Sequence, residues 1–186
     1  MGKGAPVEEP ELIRLSRTGD RQAFAGLVDL YWDRLYRWLY HLSHDQHQAE
    51  DIAQEAFLKA FTALDSFAEG TRFQAWLFRI AFNAFVNQRK RRGKVILAFP
   101  EAAASEEPEP AEQLMSKEAL AHLARAVGRL PAEFRAAFLL RVEEDLSFRE
   151  VAAALNITEE TARWRVFKAR QKLLEVMKPH LAENEG

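Results

Sequence analysis

SFREVAAALNITEETARWRVFKARQKL, Ser147–Leu173, carries two helix starts and one helix stop within 27 positions. Ser147 and Glu150 form a capping box, in which the hydroxyl and the carboxylate each satisfy a free backbone N–H at the start of a helix. Val151, Ala152 and Leu155 then face inward. Asn156 tolerates left-handed geometry and ends that helix. Thr158 caps a second helix, over about residues 159–178. In this helix Ala162, Val166, Ala169 and Leu173 recur every three or four residues, so they share one buried stripe. Geometry places Glu160, Trp164, Phe167, Lys168 and Gln171 on the opposite side, Thr161 and Arg163 at its edges, and Arg165 and Arg170 beside the core stripe. Two short helices across a tight turn, the second rich in cations, form a helix-turn-helix. The first turns of its second helix reach base edges in the major groove, and flanking cations meet phosphates. The bland alternative is a helical hairpin with a solvated face. Trp164 argues against it, because an exposed indole asks for a thymine methyl, a sugar or a protein partner to cover it.

Outward from this unit the chain reads as helix. Pro131 opens a preceding helix with Phe134, Phe138 and Leu139, and helical pattern begins near Leu114 (Leu120, Leu123, Ala124, Val127). Upstream, Asp20 can cap a helix of about 21–42 whose apolar stripe is Phe24, Leu27, Tyr31, Leu35, Trp38 and Leu42. Ser43-His44-Asp45 interrupts it. A helix of about 46–65 buries Ala49, Ile52, Ala53, Ala56, Ala60 and Leu64, and turns Asp51, Gln54, Glu55, Leu58 and Thr62 outward. Acids and an amide around an exposed leucine suit a basic helical partner, though a solvated face explains them too. Residues 65–71 read as a loop, with Gly70 its most permissive point.

The next helix, about 72–92, carries Arg72, Trp76, Arg79, Asn83, Asn87 and Lys90 on one stripe and Phe73, Leu77, Ile80 and Ala84 on the buried side. Aromatic rings stack on unpaired bases, amides hydrogen-bond base edges, and cations hold the backbone. The competing reading places Trp76 in the core and treats the basic end as an ordinary complement to the helix dipole.

The net charge of −2 over 186 residues argues against a simple basic coat for nucleic acid, but the charge is segregated. Arg89, Lys90, Arg91, Arg92 and Lys94 form a basic run; Glu101, Glu106, Glu107, Glu109 and Glu112 follow it among Pro100, Pro108 and Pro110. Residues 93–113 therefore read as a flexible acidic linker. Hydrophobic residues make up 48% of the chain, enough for buried cores in one or two domains. No run approaches the roughly 18–20 apolar residues of a membrane span, so no membrane insertion is expected. The start, MGKGAPVEEPE, lacks a signal peptide's apolar core. With no cysteine there are no disulfides or thiolate metal sites, and the expected compartment is the cytoplasm. His41, His44 and His47 form the one histidine cluster. Without a Glu-x-x-His partner they read as solvated helix-end residues, so neither a metal site, a cofactor nor a catalytic residue is expected.

Three stretches together resemble the bacterial RNA polymerase sigma factors, specifically the short two-domain extracytoplasmic-function group: DIAQEAFLKAF (Asp51–Phe61), with its D-x-x-Q-E-x-F pattern, FQAWLFRIAFNAFVNQRKRR (Phe73–Arg92), and Leu130–Leu173. The resemblance implies an all-α chain with a sigma domain 2-like bundle over residues 1–92, the linker over 93–113 and a sigma domain 4-like helix-turn-helix over 114–186. It implies that Asp51, Gln54, Glu55, Phe57 and Leu58 dock on the clamp of the polymerase largest subunit. The loop from Phe67 to Arg72 would pocket a flipped base of the −10 element. Phe73, Trp76, Arg79, Asn83, Asn87 and Lys90 would melt and read that element. Arg149, Thr158, Glu160, Thr161, Arg163, Trp164, Arg165, Lys168 and Arg170 would lie near the −35 element, with the polymerase flap region alongside. The acidic linker would thread toward the polymerase active-site cleft, and an anti-sigma factor is an implied partner. The chain departs from the family at Trp164, usually a small residue, and at Glu160, often glycine; the base preference of relatives does not transfer across those changes. The alternative is a helix-turn-helix repressor or activator with an N-terminal sensing or dimerisation domain. It requires a palindromic site, and it leaves the upstream helices unexplained.

Overall fold

The computed structural model describes residues 8–68, 70–93 and 117–182. Among them the chain forms only helices: α1 (Glu9–Arg17), α2 (Arg21–Ser43), α3 (Gln46–Ala63), a 3-10 turn (Leu64–Ser66), α4 (Phe73–Arg91), α5 (Lys117–Arg129), α6 (Ala132–Val142), α7 (Phe148–Leu155) and α8 (Glu159–Ala182). They fall into two compact units, Met1–Gln88 and Arg89–Gly186. Most of the acidic segment, from residue 94 on, lies outside the described residues, as does the expected helical start at Leu114.

In the first unit α2 begins where Asp20 accepts hydrogen bonds from the Gln22 and Ala23 N–H groups, at 2.8 and 3.1 Å. Its predicted stripe, Phe24 through Leu42, is buried throughout. His44 closes the helix in left-handed geometry, φ 55°, and Asp45 caps α3 by accepting from the Gln48 N–H at 3.0 Å. The inner face of α3 is mostly alanine (Ala49, Ala53, Ala56, Ala60) with Ile52, so α2 and α3 approach closely. From α4, Phe73, Leu77, Phe78, Ala81, Ala84 and Phe85 complete the core, and the Phe78 ring lies 5.0 Å from the Trp38 indole.

Helix α1 has no counterpart in the sequence reading. It is nine residues long, with Pro10 in its first turn, and such a segment has little stability of its own. Tertiary contacts hold it. Leu12 lies against α2 at Gly26, where even a Cβ would sit 3.0 Å from Leu12 Cδ2. The Tyr31 hydroxyl donates to the Glu9 carboxylate. Burial, reinforced by that hydrogen bond, pushes the Tyr31 phenol above its ordinary pKa.

In the second unit Pro131 stands immediately before α6, whose Phe134, Leu139 and Leu140 are buried. The capping box of α7 is complete: Ser147 Oγ accepts from the Glu150 N–H at 3.3 Å, and Glu150 Oε2 accepts from the Ser147 N–H at 2.7 Å. Asn156, at φ 54°, ends α7, and Thr158 Oγ1 accepts the Thr161 N–H at 3.1 Å to start α8. Ala162, Val166, Ala169, Leu173 and Met177 form the inner stripe of α8. Arg135 is buried and donates to the carbonyls of Gly128 and Leu130 (3.2 Å to the latter), satisfying acceptors at the C-terminal end of α5. Leu120, one of the residues that mark the helical pattern of α5, is 51% exposed.

Candidate nucleic-acid interface

In the first unit two faces stand out. On α3, Asp51, Gln54, Glu55 and Leu58 are exposed, Leu58 at 69%. Phe57, expected beside them, is instead 5% exposed and stacks on Trp32 with ring centroids 5.9 Å apart. The reason is helical phase: Phe57 follows Ile52, Ala53 and Ala56 onto the α2 side. With Phe24, Val28, Trp32 and Phe61 it lines a shallow groove beside Leu58.

The second face is α4 with the loop before it. Arg72, Arg79, Asn83 and Asn87 are exposed and step along one side of the helix, and Lys90, on the last turn of the same helix past the unit's boundary, is exposed as well. Trp76, in the same row, is half-buried, neither fully presented nor sealed in the core. Its indole covers Phe67 and Phe73, at ring separations of 5.3 and 5.6 Å. Phe67 is 6% exposed and Phe73 is fully buried. Those two rings are therefore the floor of the site rather than contact groups. Among the described loop residues Ala68, Gly70, Thr71 and Arg72 are exposed, and Gly70 adopts φ 80°, as its permissive role requires.

Sequence reasoning missed Arg17, the last residue of α1. It reaches the start of this loop, with its guanidinium 5.7 Å from the centroid of the Phe67 ring. Nothing local announces a contact between residues 50 apart in sequence.

In the second unit the start of α8 and the turn before it expose Thr158, Glu160 and Arg163, and the first turn of α7 exposes Arg149. Arg163 is held by an ion pair to Glu159 at 2.6 Å and lies 4.6 Å over the Phe148 ring. Thr161, Lys168 and Arg170 are half-buried. Trp164 is not the exposed indole expected from helical phase. It is half-buried, edge-on against Phe134 of α6 with centroids 5.5 Å apart. Its neighbour Arg165, expected as a flanking cation, is also half-buried; that burial lowers its guanidinium pKa, and the nearby Glu133 carboxylate opposes the shift. Glu133 is itself buried. Trp164 of α8 thus packs on Phe134 at the start of α6, with Arg165 within electrostatic reach of Glu133.

Among the described residues no three or more histidine or acidic side chains gather as a metal site. Nor is any of their helices long and apolar enough to cross a membrane.

An all-helical bundle with a polar-aromatic stripe, followed by a capped helix-turn-helix, defines a two-module transcription factor. The Sigma-70 region 2 family matches residues 27–95, and the Sigma-70 region 4 family matches residues 120–173. The chain is 38% identical to the ECF RNA polymerase sigma factor SigE of Mycolicibacterium smegmatis, over 96% of this chain and 72% of that protein. It is 31% identical to ECF sigma factor SigW of Bacillus subtilis, over 87% of this chain and 92% of the relative. A solved structure of the sigma factor RpoE with the anti-sigma factor NepR from Bartonella quintana is similar at TM-score 0.65 and 30% identity, covering 83% of this chain and 96% of that one. The chain belongs to the extracytoplasmic-function group of RNA polymerase sigma factors, and its role is that of a transcription-initiation factor. A free-standing repressor or activator is not favoured.

Proposed function

We propose that the protein binds core RNA polymerase, directs it to specific promoters and helps melt their −10 region. In this reading the exposed α3 face (Asp51, Gln54, Glu55, Leu58) docks on the largest-subunit clamp. Helix α4 and the loop before it hold the opened −10 strand. The α7–α8 unit reads the −35 duplex, and the acidic 93–113 tether spans the two. Relatives of the kind solved with anti-sigma factors support an anti-sigma partner here as well.

The observation that carries the proposal is the α4 row: exposed Arg79, Asn83, Asn87 and Lys90 continue from half-buried Trp76. Magnitudes define its share of the work. Taking a base out of the stack costs a few kcal/mol, and stacking on one aromatic ring returns about 1–3 kcal/mol. With Phe67 and Phe73 buried, Trp76 is the one ring of this aromatic cluster with a free edge. A single ring offsets one unstacked step. Propagating the opening then falls to amide contacts, backbone cations and polymerase docking. A factor of this kind forms and breaks no bond; it works by preferring the opened strand.

The test is reconstitution with core polymerase on a random promoter pool, followed by sequencing of the transcribed templates. Wild type is expected to program initiation from a defined −35/−10 pair. A Gln54→Ala, Glu55→Ala variant is expected to fold and to lose recruitment, because removing the exposed Glu55–Lys59 pair costs roughly 0–1 kcal/mol of stability. Wild-type failure across the pool would return the assignment to a polymerase-independent DNA binder.

A further inference from the structure

The geometry points to Arg17 as a positioning residue that holds the base-capturing loop in its working shape, an inference that rests on the promoter-opening reading above. Arg17 Nε donates to the Leu64 carbonyl at 3.4 Å, and Nη2 donates to the Phe67 carbonyl. The Phe67 carbonyl lies just past the 3-10 turn, where carbonyls lose their helical partners and a cation is favoured, while the Leu64 carbonyl accepts both Arg17 and the Phe67 N–H, the latter at 3.1 Å. The same guanidinium lies against the Phe67 ring. Arg17 therefore fixes Phe67 by backbone and by side chain at once.

Phe67 anchors the start of the loop. Its ring meets Phe73, the first residue of α4, at 5.6 Å, so the two ends of the loop are brought together over five intervening residues. Between them Ala68 accepts from the Thr71 N–H at 3.3 Å and from the Thr71 hydroxyl at 2.6 Å, closing a turn. Ala68, Gly70, Thr71 and Arg72 stay outside. A turn pinned at both ends loses less conformational freedom when it takes up a ligand than a slack one.

The anchor is itself firm. Helix α1 is fastened to α2 by Leu12 on Gly26 and by Glu9 on Tyr31. An otherwise marginal helix thus carries one guanidinium to the place where the loop can be held. A lysine, with a point charge and no fork, cannot serve both carbonyls in the same way.

The experiment uses holoenzyme formed from core polymerase and the full chain, on promoters randomised across the −10 element. Arg17→Met keeps the aliphatic stem and removes the fork. It is expected to flatten the preference at the base held by the loop by about tenfold, the scale of a lost charge-assisted hydrogen bond. Preferences at bases read by α4 and at the −35 element, and affinity for core polymerase, are expected to stay within about twofold, since other faces set them. Arg17→Lys should fall between Arg17→Met and wild type. A profile unchanged in Arg17→Met, or a uniform loss at every position, overturns the inference and leaves the sigma reading intact. If Arg17→Met does not fold, Arg17→Lys decides: a wild-type profile, or failure to fold, overturns the positioning role. A wild-type holoenzyme without preference at any −10 base would instead remove the promoter-opening reading itself.

Discussion

Replacing Trp164 tests whether the α8 indole is a reading group or a packing group. A tryptophan side chain covers roughly 150–250 Å² in contact; half-buried, Trp164 keeps about 100 Å² from water. At about 25 cal/mol per Å² that burial contributes about 2.5 kcal/mol. The edge-on contact with Phe134 adds about 1 kcal/mol beyond area. Trp164→Ala should therefore destabilise the second unit by about 3.5 kcal/mol, a large part of what a domain of this size possesses, which is on the order of 5 kcal/mol. Trp164→Phe keeps a ring against Phe134 and should cost about 1 kcal/mol. Unfolding of the whole chain is a poor assay, because two units need not melt together. Amide hydrogen exchange of α6 and α8, followed by mass spectrometry, reads this unit alone. A loss of protection below about 0.5 kcal/mol in Trp164→Ala would refute the packing argument. The indole would then be free for DNA or a partner, as helical phase by itself suggests.

Three further outcomes follow from the same structure. Ser147→Ala removes one arm of the capping box and should lower the stability of the second unit by about 1 kcal/mol, read as faster exchange at the first α7 amides. Trp76→Ala should impair strand opening, followed by permanganate reactivity of the −10 thymines, more than it impairs duplex binding; equal losses would make Trp76 a core residue only. Tyr31 supplies a pH signature. Its folded pKa lies above the ordinary value, so the folded state favours the neutral phenol. Its contribution is complete below the unfolded pKa of about 10 and is lost as pH rises toward the folded value. Alkaline titration of stability should thus show a decline between these limits that Tyr31→Phe abolishes.

Local rules carried most of the helices. Asp20, Asp45, Ser147 and Thr158 each cap through a side chain two or three residues from its partner, and Asn156 ends α7 through its own backbone. Such signals are complete within one turn of chain, and an apolar stripe of period 3.6 then states which face is buried. The same logic placed Asp51, Gln54 and Glu55 on the surface of α3, and Asn83 and Asn87 on that of α4. It did not find α1, whose nine residues become a helix only once Leu12 and Glu9 meet α2.

What periodicity could not decide is which neighbour covers a half-turned side chain. Phe57 lies inward on Trp32, Trp164 leans on Phe134, Arg165 shares its surroundings with the buried Glu133, and Arg17 spans to Phe67. Each pairing joins residues at least 25 apart in the chain. A sequence pattern names the face of a helix, because phase is local. Whether that face meets water or another helix depends on chain paths that only the packed structure brings together.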